Sequence, residues 1–168
     1  MLISPEYLVL QRELHERSRH YGTSGKTWAE AVAKFADVVK AASILDYGAG
    51  KGTLADLFVG EDFREFDPAV PGKDTRPEPA DLVVCGDVLE HIEPVYLESV
   101  LDDLRKLARK GVFLVIGTVP AMKTLADGRN AHLIVESSRW WLPRLMERWS
   151  LSEFRDYGPA FQCTMTVR

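Results

Sequence analysis

Apolar residues recur along this chain with two periods that take turns. Tyr7, Leu8, Leu10 and Leu14 fall on one face of a helical repeat and predict a first helix. Trp28, Ala31, Val32, Phe35, Val38 and Val39 recur at the same spacing and predict a second. The pattern then breaks into short continuous apolar runs, the mark of strands buried on both faces. "ASILDYG" (Ala42 to Gly48) is the first of these, and "GTLADLF" (Gly52 to Phe58) after it reads as a helix. "DFREFDP" (Asp62 to Pro68) predicts a second strand stopped by Pro68. The next segment, Pro68 to Ala80, holds four prolines and a glycine and predicts a loop. "DLVVCGD" (Asp81 to Asp87) is another buried strand. Pro94 to Lys110 is an amphipathic helix with Leu97, Val100, Leu101, Leu104 and Leu107 on one side, and Gly111 to Val119 is the most apolar strand. Pro120 to Glu136 reads as a loop, and Ser137 to Trp149 as a short helix interrupted or opened by Pro143. Two strands meeting at "YGPA" (Tyr157 to Ala160) close the chain.

Strands alternating with helices, all-apolar in the middle of the chain, predict an α/β fold of three layers. A mostly parallel sheet is covered on both faces and carries an antiparallel hairpin at its C-terminal end. At 168 residues the expectation is one domain, residues 1–168, with no internal repeat. Composition changes the picture little: 46% of residues are apolar, 27% are charged, and the net charge is −4. That balance offers no bulk attraction for nucleic acid or an anionic membrane. Cys85 and Cys163 lie in strand-like runs and read as reduced core thiols. The N-terminal stretch has Glu6 early and many later charges, unlike a secretory leader, and no run is long enough to span a bilayer. The expectation is a cytoplasmic protein.

Chemistry is concentrated in "SILDYGAGKGTL" (Ser43 to Leu54), where Gly48, Gly50 and Gly52 alternate between a strand and a helix-like segment. A glycine turn there lets a ligand approach the backbone at the carboxyl edge of the sheet. The third glycine comes one residue too early for a dinucleotide fingerprint. Asp46, at the end of the strand, would repel a pyrophosphate but suits a ligand bearing an amino group. Asp67 ends the next strand, where a carboxylate accepts hydrogen bonds from ribose hydroxyls. "GTSGKT" (Gly22 to Thr27) resembles a phosphate loop only superficially, because the glycine required with four residues between it and the Gly-Lys pair is His20. It reads instead as a helix start capped by Ser24.

"LDYGAGKGTL", "REFDP" and "DLVVCGDVLEHI" together resemble the successive motifs of the class I (Rossmann-like) S-adenosylmethionine-dependent methyltransferases, over Ser43 to Val119. The most specific piece is "DVLEHIEP" after an apolar strand, similar to the superfamily's small-molecule branch. The resemblance implies S-adenosylmethionine as cofactor and methyl transfer to O or N of a small polar acceptor. It implies that Gly48 and Gly50 receive the methionine part, that Asp46 faces its amino group and that Asp67 holds the ribose. Cys85, Asp87 and Val88 would line the opposite wall, mainly through backbone. Pro68, with Ala69 and Val70, would close over adenine. Residues 1–40 would form a helical lid in which Tyr21 and His20 are candidate contacts. Residues 43–119 would form the cofactor half, and residues 120–168 the acceptor loop and last strands. The family inserts a helix and a strand between "REFDP" and "DLVVC", and this chain has only the proline-rich loop, so the sheet should lack its usual third strand.

Glu90 and His91 start the segment after the third predicted strand and are candidate catalytic residues, or merely favour the next turn by charge and packing. His132, in the loop Pro120 to Glu136, is a candidate general base, while Arg129 and Asn130 are candidates to bind a polar acceptor. Trp140, Trp141 and Trp149 read as packing residues. The four histidines are scattered and neither cysteine has a nearby partner, so no metal-ligand spacing is visible. A nucleic acid or modified nucleotide remains an alternative acceptor. A non-catalytic cofactor-binding domain is the reading from a different class. Oligomeric state is not legible.

Overall fold

The computed structural model describes residues 1–168. Its elements are α1 (Pro5–Arg17), α2 (Ala29–Val39), β1 (Ser43–Tyr47), β2 (Asp62–Phe66), β3 (Ala80–Gly86), α3 (Leu97–Leu107), β4 (Ala108–Gly117), α4 (Ser138–Met146), β5 (Trp149–Asp156) and β6 (Ala160–Val167). The six strands form one sheet in the order β2-β1-β3-β4-β6-β5. β2, β1, β3 and β4 are parallel neighbours, while β6 runs antiparallel to both β4 and β5. β2 is therefore an edge strand, as expected of a sheet trimmed of its third strand.

Side-chain alternation along β4 shows why the strand is apolar from Gly111 onward. Phe113 and Val115 enter a core with Val32 and Phe35 of α2. Val112, Leu114 and Ile116 enter a larger core on the other face with Leu101, Leu104 and Trp141 of α3 and α4. Both faces are covered from Val112 to Ile116, so no position in that stretch can be polar without a buried partner. α1 is set apart from both cores. Its Tyr7 and Leu14 pack on Leu125 and Ala131 of the loop between β4 and α4. Ser4 caps this helix, its hydroxyl accepting from the Tyr7 N–H at 3.1 Å. The Glu93 carboxylate accepts from both the N–H and the hydroxyl of Ser4 at 2.8 Å, which ties the lid to the body of the domain.

Four elements depart from the expected pattern, each for a local reason. The helix expected over Gly52 to Phe58 is only one tight turn, Ala55–Leu57. Gly52 and Gly60 bracket it at φ of +76° and +90°, and the short stretch between them cannot carry the cost of helix nucleation. Leu54 and Phe58, one turn apart, still reach the α2-side core. α3 stops at Leu107, and the expected last turn belongs to β4. Lys110 pairs with Asp81 at 2.8 Å across the β3–β4 ladder, which favours the extended backbone there. Ser24 precedes a tight turn, Gly25–Trp28, without capping it; the Thr53 hydroxyl accepts from the Lys26 N–H instead. Pro143 does not break α4, because it removes the partner of only one carbonyl, that of exposed Arg139. Trp149 lies in β5, opposite Val167.

Candidate active site

The parallel strands β1, β2, β3 and β4 end side by side, and a cavity of about 840 Å³ opens over those ends. Sites for small molecules and cofactors span roughly 300–1,000 Å³, so this one has room for a large ligand. Asp46 and Tyr47 from β1, Asp67 after β2, Gly86 and Asp87 from the end of β3, and Gly117 from β4 all line it. The N-terminal segment closes the top through Tyr21, Gly22 and Trp28.

The glycine turn shapes this cavity by sterics. Gly48 and Gly50 hold φ of +82° and +51°. A β-carbon on Gly48 would lie 2.3 Å from a Val88 methyl, and one on Gly50 would lie 2.7 Å from the Gly22 Cα. Only glycine lets the lid and the third-strand loop approach so closely. The turn does not, however, present free donors. The Gly48 and Ala49 N–H groups both donate to the Phe66 carbonyl, at 2.7 and 3.1 Å. The Gly50 N–H donates to Asp67 Oδ2 at 3.0 Å. These amides bind the adjoining strand end, which freezes the shape of the turn, while Gly48 and Gly50 themselves line the cavity.

Asp67 is 7% exposed, and its Oδ1 accepts from the Ala69 N–H at 2.9 Å. It thus forms a local turn and braces the glycine loop, while each oxygen keeps a second lone pair. Pro68 and Ala69 follow on the same wall. Asp46 differs. Its carboxylate is 6% exposed and accepts no hydrogen bond from the protein. Burial, with Glu65 and Asp67 nearby, raises its pKa from 3.8 to about 7 despite the opposing pull of Lys73. A buried anion without a partner is costly, so this position favours a ligand that brings a cation. Asp87 holds φ of +56°, with its N–H donating to the Val115 carbonyl at 2.9 Å. Sparsely populated backbone of this kind at a cavity wall is typical of functional sites.

Cys85 is the core thiol read from its strand and does not line the cavity. Its side chain is wholly buried in the α3-side core, outside the cavity, and burial pushes its thiol pKa up. Val88 and Tyr21 do line the cavity, and so does exposed His20.

At the opposite end the fold gathers Glu90, His91 and His132. One potential donor atom from each lies within 4.8 Å of the others, although the spacing along the chain shows no metal-ligand pattern. Glu90 is 1% exposed; Oε1 accepts from the Gly117 N–H at 2.7 Å and Oε2 has no partner. Burial, followed by the nearby Asp87, raises its pKa to about 8. Burial and the neighbouring His132 lower the pKa of His91 to about 3, keeping its ring neutral.

Arg129 and Asn130 are corrected to structural roles. Arg129 pairs with Asp127 at 2.7 Å and lies over the Tyr7 ring. Asn130 staples its loop, accepting from the Ala121 and His132 N–H groups and donating to the Ala121 carbonyl. Trp141 and Trp149 are core residues, and Trp140 packs under Arg144. Two cavity residues escaped the reading of the sequence. Trp28 matched the apolar face of α2 and His15 carried no signal, yet both line the cavity and each keeps a buried ring nitrogen without a partner. Those two atoms and Glu90 Oε2 are orphaned polar atoms in the walls of one cavity, a pattern that calls for a ligand.

Comparisons with known proteins converge on one family. The family described as a methyltransferase domain matches residues 17–162. No curated protein sequence matches. Among solved structures, the chain is similar to the 1,6-didemethyltoxoflavin-N1-methyltransferase of Burkholderia thailandensis, bound to 1,6-didemethyltoxoflavin and S-adenosylhomocysteine. That likeness has a TM-score of 0.72 at 15% identity, over 99% of this chain and 92% of the other. DhpI in complex with S-adenosylhomocysteine follows with a TM-score of 0.66 at 18% identity, over 97% of each chain. The N-methyltransferase NodS of Bradyrhizobium japonicum, also with S-adenosylhomocysteine, gives 0.63 at 15% identity, over 98% and 99%. At such identities the structural likeness establishes the fold.

Proposed function

The chain belongs to the methyltransferase-domain family, and from that premise we propose that it transfers a methyl group from S-adenosylmethionine to an O or N atom of a small polar acceptor. The observation that carries this reading is Asp46: a nearly buried carboxylate with no protein partner, on the cavity wall beside a glycine turn and Asp67. Its charge matches an amino-acid ammonium, and the second lone pairs of Asp67 match the vicinal hydroxyls of a ribose. The related structures with bound S-adenosylhomocysteine support the same cofactor.

The sulfonium supplies an already activated methyl group. What this chain has to do is hold the reactants in line and keep water out, and orientation of that kind supplies roughly 7–11 kcal/mol. A general base contributes about 10²–10⁴-fold, the smaller term. Gly22 packed on Gly50 and the Lys51 N–H donating to the Gly22 carbonyl at 2.8 Å hold the lid down on the turn. Tyr21 extends that cover, its hydroxyl donating to Gln11 Oε1 at 2.8 Å. Glu90, His91 and His132 line the same cavity and are the candidates to face the acceptor. The acidic net charge of −4 favours a small acceptor over nucleic acid.

The test is calorimetric titration with S-adenosylhomocysteine. Asp67→Ala is expected to weaken binding by about 1.5–3 kcal/mol, the usual worth of hydrogen bonds to a charged group. Asp67→Asn separates the two functions of the side chain, because its amide oxygen can still accept from a backbone N–H while the charge is gone. Unchanged affinity in both variants would remove Asp67 from the cofactor site.

A further inference from the structure

The tautomers of the two clustered histidines follow from their hydrogen bonds. His91 Nδ1 lies 2.8 Å from the Ala131 carbonyl, and His132 Nδ1 lies 2.6 Å from the Val119 carbonyl. A carbonyl oxygen only accepts, so each Nδ1 carries the proton and each neutral ring leaves Nε2 as an available lone pair. Pinning one ring nitrogen to a backbone carbonyl, with the other free, is the usual preparation of a metal-binding histidine. The third member, Glu90 Oε2, is buried without any partner, while Oε1 is anchored on the Gly117 N–H. An unpaired carboxylate oxygen beside two imidazole lone pairs is a poor apolar core and a good coordination set. The rings themselves meet edge to face, with centroids 4.7 Å apart.

We propose that Glu90, His91 and His132 form a binding site for a divalent transition-metal cation at the acceptor end of the cavity. Two imidazoles and one carboxylate favour Zn²⁺, Co²⁺, Ni²⁺ or Fe²⁺ over Mg²⁺ and Ca²⁺, which prefer all-oxygen surroundings. One potential ligand atom from each of the three side chains lies within 4.8 Å of the others, close enough for small side-chain rotations to bring the three residues onto one ion. Three protein ligands leave coordination positions open. Those positions face the cavity, where they suit water or the oxygen of a hydroxyl-bearing acceptor; this last assignment rests on the methyl-transfer reading, while ion binding does not.

The site is tested on the chelator-treated full chain by calorimetry with Zn²⁺ and by the visible absorption of added Co²⁺. One ion per chain is expected, with the Co²⁺ spectrum displaced by Zn²⁺ and not by Mg²⁺. Glu90→Gln, which retains an acceptor for the Gly117 N–H, and His132→Ala should each weaken binding by roughly 100-fold or more, beyond the 10–100-fold typical of outer-shell partners. Far-UV circular dichroism, measured on the same samples, should match that of the parent chain, which reports that both variants are folded. Absence of saturable Zn²⁺ or Co²⁺ uptake by the parent chain overturns the proposal, as does uptake that survives His132→Ala. Either result leaves the cofactor reading standing, whereas loss of S-adenosylhomocysteine binding by the parent chain would strike that reading alone.

Discussion

Asp46 links stability and ligand binding in opposite senses, and Asp46→Asn exposes both. Burial, then Glu65, raises this carboxyl from 3.8 to about 7. At about 1.4 kcal/mol per pKa unit, holding the group ionised in the free protein costs on the order of 4 kcal/mol. Because the pKa is raised in the folded state, the folded chain keeps a proton that the unfolded chain has already lost. The contribution of Asp46 to stability is thus full below about pH 4, declines between about pH 4 and 7, and is flat above that. An amide of the same shape does not titrate. Urea denaturation at pH 8 should therefore find Asp46→Asn more stable than the parent chain, by up to about 4 kcal/mol, with the gap closing toward pH 4. The cofactor's ammonium acts in the other direction. It favours the ionised carboxylate, so parent affinity for S-adenosylhomocysteine should fall toward tenfold per pH unit below about pH 7, with a proton released on binding. The asparagine variant should bind more weakly at pH 8 and lose that pH dependence. Calorimetry in two buffers of different ionisation enthalpy reads the proton directly. Identical denaturation profiles together with identical affinities at pH 8 would refute the reasoning, because the carboxylate would then be neither strained nor matched to a cation.

Two more substitutions probe the closure of the site. Gly50→Ala places a β-carbon 2.7 Å from the Gly22 Cα on a backbone at φ +51°. It should cost about 1–3 kcal/mol of stability by denaturant titration and weaken S-adenosylhomocysteine binding by displacing the lid. Ser4→Ala removes the cap of α1 and a hydrogen bond from the hydroxyl to Glu93. A loss of about 0.5–2 kcal/mol is expected, seen as faster amide exchange confined to α1 and the loop it packs on.

Much of this architecture was legible from short-range pattern alone. Strand and helix periods follow from which face each residue must bury, so the continuous apolar run of β4 announced cover on both sides before any coordinates. Asp46, Gly48, Gly50 and Asp67 were readable for a related reason. They sit at strand ends and turns, where residue type reports local geometry. What stayed hidden depends on contacts between segments far apart in the chain. Trp28 scored as helix core because its spacing matches α2, yet its position under the lid makes it a cavity wall. Cys85 had the right strand but alternation turned its side chain to the other face. That Phe66 and Asp67 hold the amides of Gly48, Ala49 and Gly50 was likewise invisible in the chain. The grouping of Glu90 and His91 with His132 is the extreme case, since the loop after β4 must fold back before His132 can meet them. Periodicity and turn chemistry are properties of neighbouring residues, so the chain alone determined its layers, its glycine turn and its two strand-end carboxylates. Which polar atoms are satisfied and which are left facing a ligand depends on long-range packing and burial, and that only the folded chain decided.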